Sequence, residues 1–203
     1  MIGIAGGSGS GKTTFANKIL NHIGDKHLTL ISMDSYYLPK LPKDLVTKSG
    51  SPNYDHPHAF DWELLNKHFE QLKSQQSIDV PLYDFTSNSR VQETKRVNPK
   101  KIILFEGIFT LFDLKIREML DIKCFLHVEA DIRFTRRLHR DVNERGRSLE
   151  SVIDQYYKSV RPMYQKYLDP QKQYADFTIG EETDVAATIL AAKIKELLNE
   201  SWT

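Results

Sequence analysis

Short apolar runs alternate along the chain with longer stretches in which apolar and polar positions follow a helical period. Ile2-Gly3-Ile4-Ala5 reads as a buried strand, and Thr13 to Ile23 as the helix after it. Leu28 to Met33, Lys101 to Phe105 and Ile122 to Val128 are further strands. Their near-continuous apolar character is what a parallel sheet covered on both faces requires. From Asp61 to Leu72, residues Leu64, Leu65, His68, Phe69 and Leu72 recur at helical spacing behind an Asp N-cap, which predicts a helix. Asp131 to Glu144 and Leu149 to Tyr157 are also predicted helical, Ala175 to Ile179 is a last short strand, and Ala186 to Leu198 is a closing amphipathic helix. Strands alternating with helices predict an α/β fold built on a doubly wound parallel sheet.

Two stretches depart from the alternation. Pro39 to Pro57 is rich in Pro, Lys, Ser and Asn without a clear period, and a loop of that length is expected to be functional. Ile78 to Asn98 carries β-branched runs on both sides of Thr86-Ser87-Asn88-Ser89, which predicts a β-hairpin inserted into the α/β plan. Composition adds mainly exclusions. With 203 residues the chain has a single-domain length, and its balance of 40% hydrophobic and 27% charged residues excludes a disordered or fibrous chain. A net charge of +1 means that any functional positive charge is local, so neither a general nucleic-acid binder nor a membrane-surface binder is expected. The lone Cys124 has no partner for a disulfide or a CxxC site. No apolar run approaches the about 18 residues of a membrane span, and Met1 runs straight into Ile2, so a cytoplasmic protein is expected.

The chemistry begins immediately after the first strand. Gly6-Gly7-Ser8-Gly9-Ser10-Gly11-Lys12-Thr13, followed by Thr14, matches G-x-x-x-x-G-K-[ST] between a predicted strand and a predicted helix. In that context the loop's backbone N–H groups converge on phosphate oxygens and the helix N-terminus adds positive potential. Lys12 would reach the β- and γ-phosphates and the Thr13 hydroxyl would ligate Mg²⁺. A plain Gly/Ser turn is the competing reading, and the full match in the right context argues against it. The fold expected is therefore of the P-loop nucleoside triphosphate hydrolase type.

Asp34 lies just past the second strand, at the sheet edge where such folds place their ligand crevice. It reads equally as a base for a substrate hydroxyl or as an N-cap. Glu106 ends another buried strand at the same edge, where Mg²⁺ or its water would want a carboxylate. Six arginines (Arg133, Arg136, Arg137, Arg140, Arg145 and Arg147) fall within 15 residues around Gly146. The competing reading is a solvated helix face with Arg137–Asp141 and Arg140–Glu144 pairs. Their density favours a helical lid, about residues 133–150, that clamps phosphate. In Asn53-Tyr54-Asp55-His56-Pro57-His58 a metal reading through Asp55, His56 and His58 lacks completing ligands. Tyr54 for stacking and Asp55 for hydroxyls suit a sugar or nucleoside better. Tyr83 and Phe85 add two aromatics at the hairpin, beside Asn88 and Arg90.

Together these motifs resemble the uridine kinase (uridine–cytidine kinase) family of P-loop kinases. The likeness runs through the P-loop, Asp34-Ser35-Tyr36-Tyr37, Asn53 to Pro57, Pro81 to Phe85, Phe105 to Ile108, Arg137 to Arg147, Arg161-Pro162-Met163 and Tyr174-Ala175-Asp176. The resemblance implies transfer of the γ-phosphoryl group of ATP or GTP to the 5′-hydroxyl of uridine or cytidine, with Mg²⁺. It implies that Asp34 deprotonates that hydroxyl and that Asp55 and Arg137 hold the ribose hydroxyls. Tyr37, Tyr54, Tyr83 and Phe85 would wall the base pocket, and Arg140, Arg145 and Arg147 would close on the phosphates. A homotetramer and feedback inhibition by CTP or UTP are also implied. One position departs from the family pattern: Asn88 stands where a histidine commonly reads the pyrimidine edge. A shorter side chain that both donates and accepts predicts an altered base preference. The alternatives are another small-molecule P-loop kinase, phosphoribulokinase-like or pantothenate kinase-like, and from a different class a non-catalytic nucleotide-binding regulator.

Overall fold

The computed structural model describes residues 1–46 and 52–200, so residues 47–51 of the Pro39–Pro57 stretch lie outside the described residues. Five strands form one parallel sheet: β1 (Ile2–Gly6), β2 (Leu28–Ser32), β5 (Ile102–Gly107), β6 (Ile122–Leu126) and β7 (Phe177–Ile179), in the order β2-β5-β1-β6-β7. The hairpin of β3 (Ile78–Asp84) and β4 (Ser89–Val97) stands apart as an antiparallel pair. Asp84 builds its turn, its carboxylate accepting from the backbone N–H groups of Thr86 (2.8 Å) and Ser87 (3.2 Å).

Alternate residues of the strands feed two apolar layers. On one face Ile4, Leu104 and Leu126 pack with Phe15 and Ile19 of α1 (Lys12–Ile23) and with Leu190 and Ile194 of α7 (Asp184–Glu200). On the other, Ala5, Phe105 and Phe125 pack with Leu65 and Phe69 of α2 (Trp62–Lys73) and Ile116 of α3 (Leu114–Met119). Each such fully buried Leu, Ile or Phe contributes roughly 1.5–3 kcal/mol, so the sheet is the rigid frame of the molecule. The Asp61 N-cap forms, with Oδ1 accepting from Leu64 N–H at 3.1 Å. Its Oδ2 accepts from Arg90 of β4 at 3.0 Å, which ties the hairpin to the start of α2.

The structure differs from the sequence expectation at three places. Met33 leaves the second strand and opens a 3₁₀ turn, Met33–Tyr36, because the Ser32 hydroxyl accepts from Asp34 N–H (3.4 Å) and turns the chain. The six-residue α3, capped by Asp113 onto Ile116 N–H, is too short to show a period in sequence. The helix expected to stop at Tyr157 instead runs on to Tyr174. It passes from α5 (Leu149–Gln155) through a π turn (Tyr156–Val160), α6 (Arg161–Met163), a second π turn (Tyr164–Leu168) and a 3₁₀ segment (Asp169–Tyr174). A π turn precedes each of Pro162 and Pro170, and the wider register lets the run continue past the missing N–H. No helix among the described residues is long and apolar enough to cross a membrane.

Candidate active site

The loop from Gly7 to Gly11 carries the chain from β1 into α1, and α1 opens at Lys12. Gly9 has φ 80°, and a Cβ there would lie 2.2 Å from the Arg133 carbonyl oxygen, so only glycine fits this turn. Arg133 supports the loop from below. It is 4% exposed, its Nε donates to Val128 O at 2.9 Å and its guanidinium lies 3.8 Å from the Tyr164 ring centroid. Arg136 pairs with Glu181 instead. Of the six arginines expected in a lid, Arg137, Arg140, Arg145 and Arg147 line the cavity above the loop. Arg133 and Arg136 fall out because α4 (Ala130–Asn143) turns them toward other elements.

At the carboxyl ends of β2 and β5, Ser32 and Glu106 are neighbours in register, and the Ser32 hydroxyl donates to Glu106 Oε1 at 2.9 Å. Burial raises the Glu106 carboxyl above its usual range, and the Lys12 ammonium is the main counterweight, helped by hydrogen bonds from Ser32 and Thr13. Burial in turn pulls the Lys12 ammonium below its ordinary value, opposed by Glu106 and then Asp34. Ser32 caps the turn, so the Asp34 carboxylate is not spent as an N-cap and lies on the cavity wall beside Lys12 and Thr13. The Thr13 hydroxyl and Glu106 carboxylate are hard oxygen donors of the kind Mg²⁺ takes, one or two from protein and the rest from phosphate and water. Among the described residues no three His, Cys, Asp or Glu side chains form a metal cluster by themselves. His56 has both ring nitrogens engaged, Nε2 with the Tyr167 hydroxyl (3.1 Å) and Nδ1 accepting from His58 N–H (3.1 Å).

Beyond Asp34 the cavity, about 480 Å³, runs out between the hairpin and the long helix. Tyr37, Tyr54, Tyr83 and Phe85 form its aromatic wall, with ring centroids 5.1 Å apart for Tyr37–Tyr83 and 5.2 Å for Tyr83–Phe85. Asn88 lines the same space from the hairpin turn with φ 51°, and its carbonyl accepts from the Tyr54 hydroxyl at 3.5 Å. Asp55 is buried in the cavity lining at 7% exposure. Its Oδ2 accepts from the Ser159 hydroxyl (3.3 Å) and its Oδ1 faces Arg137 at 4.0 Å. Desolvation raises the Asp55 carboxyl, and Arg137 and Ser159 work against that rise. Arg137 also donates to the Ser8 hydroxyl of the P-loop (2.9 Å) and to Gln155 (3.0 Å), so a single guanidinium touches both ends of the site. Arg145 lies over Phe85, 4.0 Å from the ring centroid. Sequence reasoning missed Gln155 and Ser159. With Ser151 they recur every four residues, a polar stripe whose only signal was its spacing.

A glycine-rich loop between a strand and a helix, a carboxylate at the sheet edge and an aromatic cavity lined by four arginines are the parts of a P-loop phosphotransferase. The sequence matches the Phosphoribulokinase / Uridine kinase family over residues 1–187, and the chain belongs to that family. It is 47% identical over 203 residues to a uridine kinase of Lactobacillus helveticus (98% of this chain, 96% of that protein). It is 45% identical over 201 residues to one of Clostridium perfringens, with the same two coverages. Among solved structures, phosphoribulokinase from Rhodobacter spheroides superposes with a TM-score of 0.67 at 16% identity (89% of this chain, 69% of that one). D-glycerate 3-kinase from Cryptococcus neoformans superposes with 0.66 at 18% identity (89% and 85%). At such identities these two speak for the fold.

Proposed function

We propose that the whole chain acts as one uridine/cytidine kinase domain, a cytoplasmic enzyme that moves the γ-phosphoryl group of ATP or GTP onto the nucleoside 5′-hydroxyl to give UMP or CMP. The observation that carries this reading is the acceptor cavity, with its four aromatic rings, buried Asp55 and open P-loop end. Clustered aromatic rings suit a base, and a buried carboxylate facing an arginine suits a pair of vicinal ribose hydroxyls. A phosphorylated sugar, the acceptor class of a phosphoribulokinase, has no flat face to offer these rings. The uridine kinases of L. helveticus and C. perfringens support the same acceptor.

In this reading Asp34 orients the 5′-hydroxyl and takes its proton as it attacks. Asp55 accepts from a ribose hydroxyl and Arg137 donates to one, which fixes the sugar in line with the phosphate. The P-loop from Gly6 to Thr14 cradles the donor phosphates. Lys12, Arg140, Arg145 and Arg147 stabilise the charge that spreads over the transferring group. Thr13 and Glu106 would hold Mg²⁺, which when bound withdraws charge from the phosphate oxygens.

Base choice falls to Asn88. Its side chain can donate to or accept from either pyrimidine edge, and its αL backbone at the hairpin turn fixes where that side chain starts. The test is kcat/KM for uridine and for cytidine, on the wild type and on Asn88→His. We expect the wild type to phosphorylate both nucleosides and the substitution to shift their ratio at least about fivefold, the scale of one hydrogen bond. An unchanged ratio removes Asn88 from base recognition, and a wild type inactive with both removes the acceptor.

A further inference from the structure

We propose that Asp141 is the positioning residue of the lid, the one carboxylate that gathers the four cavity-facing arginines into a single arrangement before any phosphate arrives. This rests on the kinase reading above and adds to it a residue that contacts neither substrate. Asp141 is 0% exposed. Its Oδ1 lies 2.8 Å from Arg140 Nη2 and 3.4 Å from Arg145 Nη1; its Oδ2 lies 3.4 Å from Arg137 Nε and 3.7 Å from Arg147 Nη1. Each oxygen thus lies within 4 Å of two guanidiniums, Oδ1 in a hydrogen bond from Arg140 and Oδ2 in charge contacts alone. Four like charges this close repel, and one buried anion among them offsets part of that while leaving the group strongly cationic toward the cavity.

The backbone repeats the arrangement. Gly146 takes φ 62° and turns the chain back at the end of α4, so that Arg147 N–H donates to the Asp141 carbonyl at 3.1 Å. Arg145 and Arg147, beyond the helix, are thereby returned to the carboxylate that Arg137 and Arg140 reach from within it. Dependence on Asp141 is unequal. Arg137 has Ser8 and Gln155 besides, and Arg147 has Gln155 and Ser151 O. Among the described residues, Arg140 has besides only a 3.5 Å contact to Ser8 and Arg145 only the Phe85 ring. Loss of Asp141 therefore releases Arg140 and Arg145 first, the two with least else to hold them. The acceptor cavity keeps its aromatic wall and Asp55.

The experiment compares Asp141→Asn and Asp141→Glu with the wild type, at saturating Mg·ATP and varied uridine, with melting curves in the presence and absence of inorganic tripolyphosphate. Asp141→Glu keeps the charge and moves it by one methylene, so it isolates geometry. We expect its kcat to fall at least about tenfold with the uridine KM within about threefold, the pattern of an interaction lost in the transition state. Its tripolyphosphate-induced rise in Tm should drop to less than half of the wild-type rise. Asp141→Asn should lose about 10²-fold in kcat, as when one charge-stabilising donor is removed. An Asp141→Glu enzyme with wild-type kcat and a wild-type tripolyphosphate shift would show that charge alone matters and overturn the proposal. So would parallel losses of kcat and uridine binding, or failure of Asp141→Glu to fold, either of which marks a general structural role. If the wild type is silent with uridine, the acceptor reading fails, while the tripolyphosphate shifts of wild type and Asp141→Glu still decide the role of Asp141.

Discussion

Lys12→Ala is expected to lower kcat by about 10²–10³-fold with both substrates saturating, the cost of removing one preorganised charge from the transferring phosphate. The argument starts in the P-loop, where Lys12 Nζ lies 3.5 Å from Gly7 O, held along the loop it serves. Its burial makes the ammonium costly to keep charged, and the neighbouring Glu106 and Asp34 carboxylates are what oppose that cost. The dependence is mutual. Lys12 is the main group holding Glu106 toward its ionised form, so the alanine enzyme should also see the Glu106 carboxyl rise further. A weakened response to Mg²⁺ accompanies that rise, since a protonated carboxyl is a poor ligand. Steady-state turnover across a magnesium titration reads both effects. A kcat within tenfold of the wild type would contradict the role given to Lys12.

Asp34→Asn should bind ATP as the wild type does and turn over about 10²-fold or more slowly, as when a positioned base is lost. The substitution keeps size and shape and removes the negative charge, and with it the ability to take a proton. The local fold should not notice it, because Ser32 rather than Asp34 caps the turn Met33–Tyr36. Because the Asp34 carboxylate also opposes ionisation of Glu106, nucleotide affinity should hold or improve slightly. Separate measurement of ATP affinity by calorimetry and of kcat by a coupled assay distinguishes the two. A kcat within threefold of the wild type would mean that Asp34 is not the base.

Much of this architecture is legible in the chain because its physics is local. The strands β1, β2, β5 and β6 feed both apolar layers and show as continuous apolar runs, the P-loop announces itself by spacing, and Asp61 caps α2 from within one turn. What resisted sequence reading depends on partners far along the chain. The Ser32 hydroxyl that turns the backbone at Asp34 also donates to Glu106, 74 residues away. Arg136 finds Glu181 across 45 residues, and nothing in the helical spacing of the arginines separates it from Arg137 or Arg140. Arg140 pairs with Asp141 rather than with the Glu144 of the competing solvated-face reading, since the turn at Gly146 gathers the charges on the buried carboxylate. The run of helix past Tyr157 that carries Ser159 into the site rests on π turns that leave no mark in the sequence.

The central claim is that the aromatic cavity receives a pyrimidine nucleoside within reach of the P-loop phosphates. Its most direct test is ADP release from Mg·ATP with uridine, with cytidine, with a phosphorylated sugar and with no acceptor, run in parallel. The account predicts turnover with one or both nucleosides and only background with the sugar phosphate and with water. Turnover with the sugar phosphate and none with either nucleoside would contradict it.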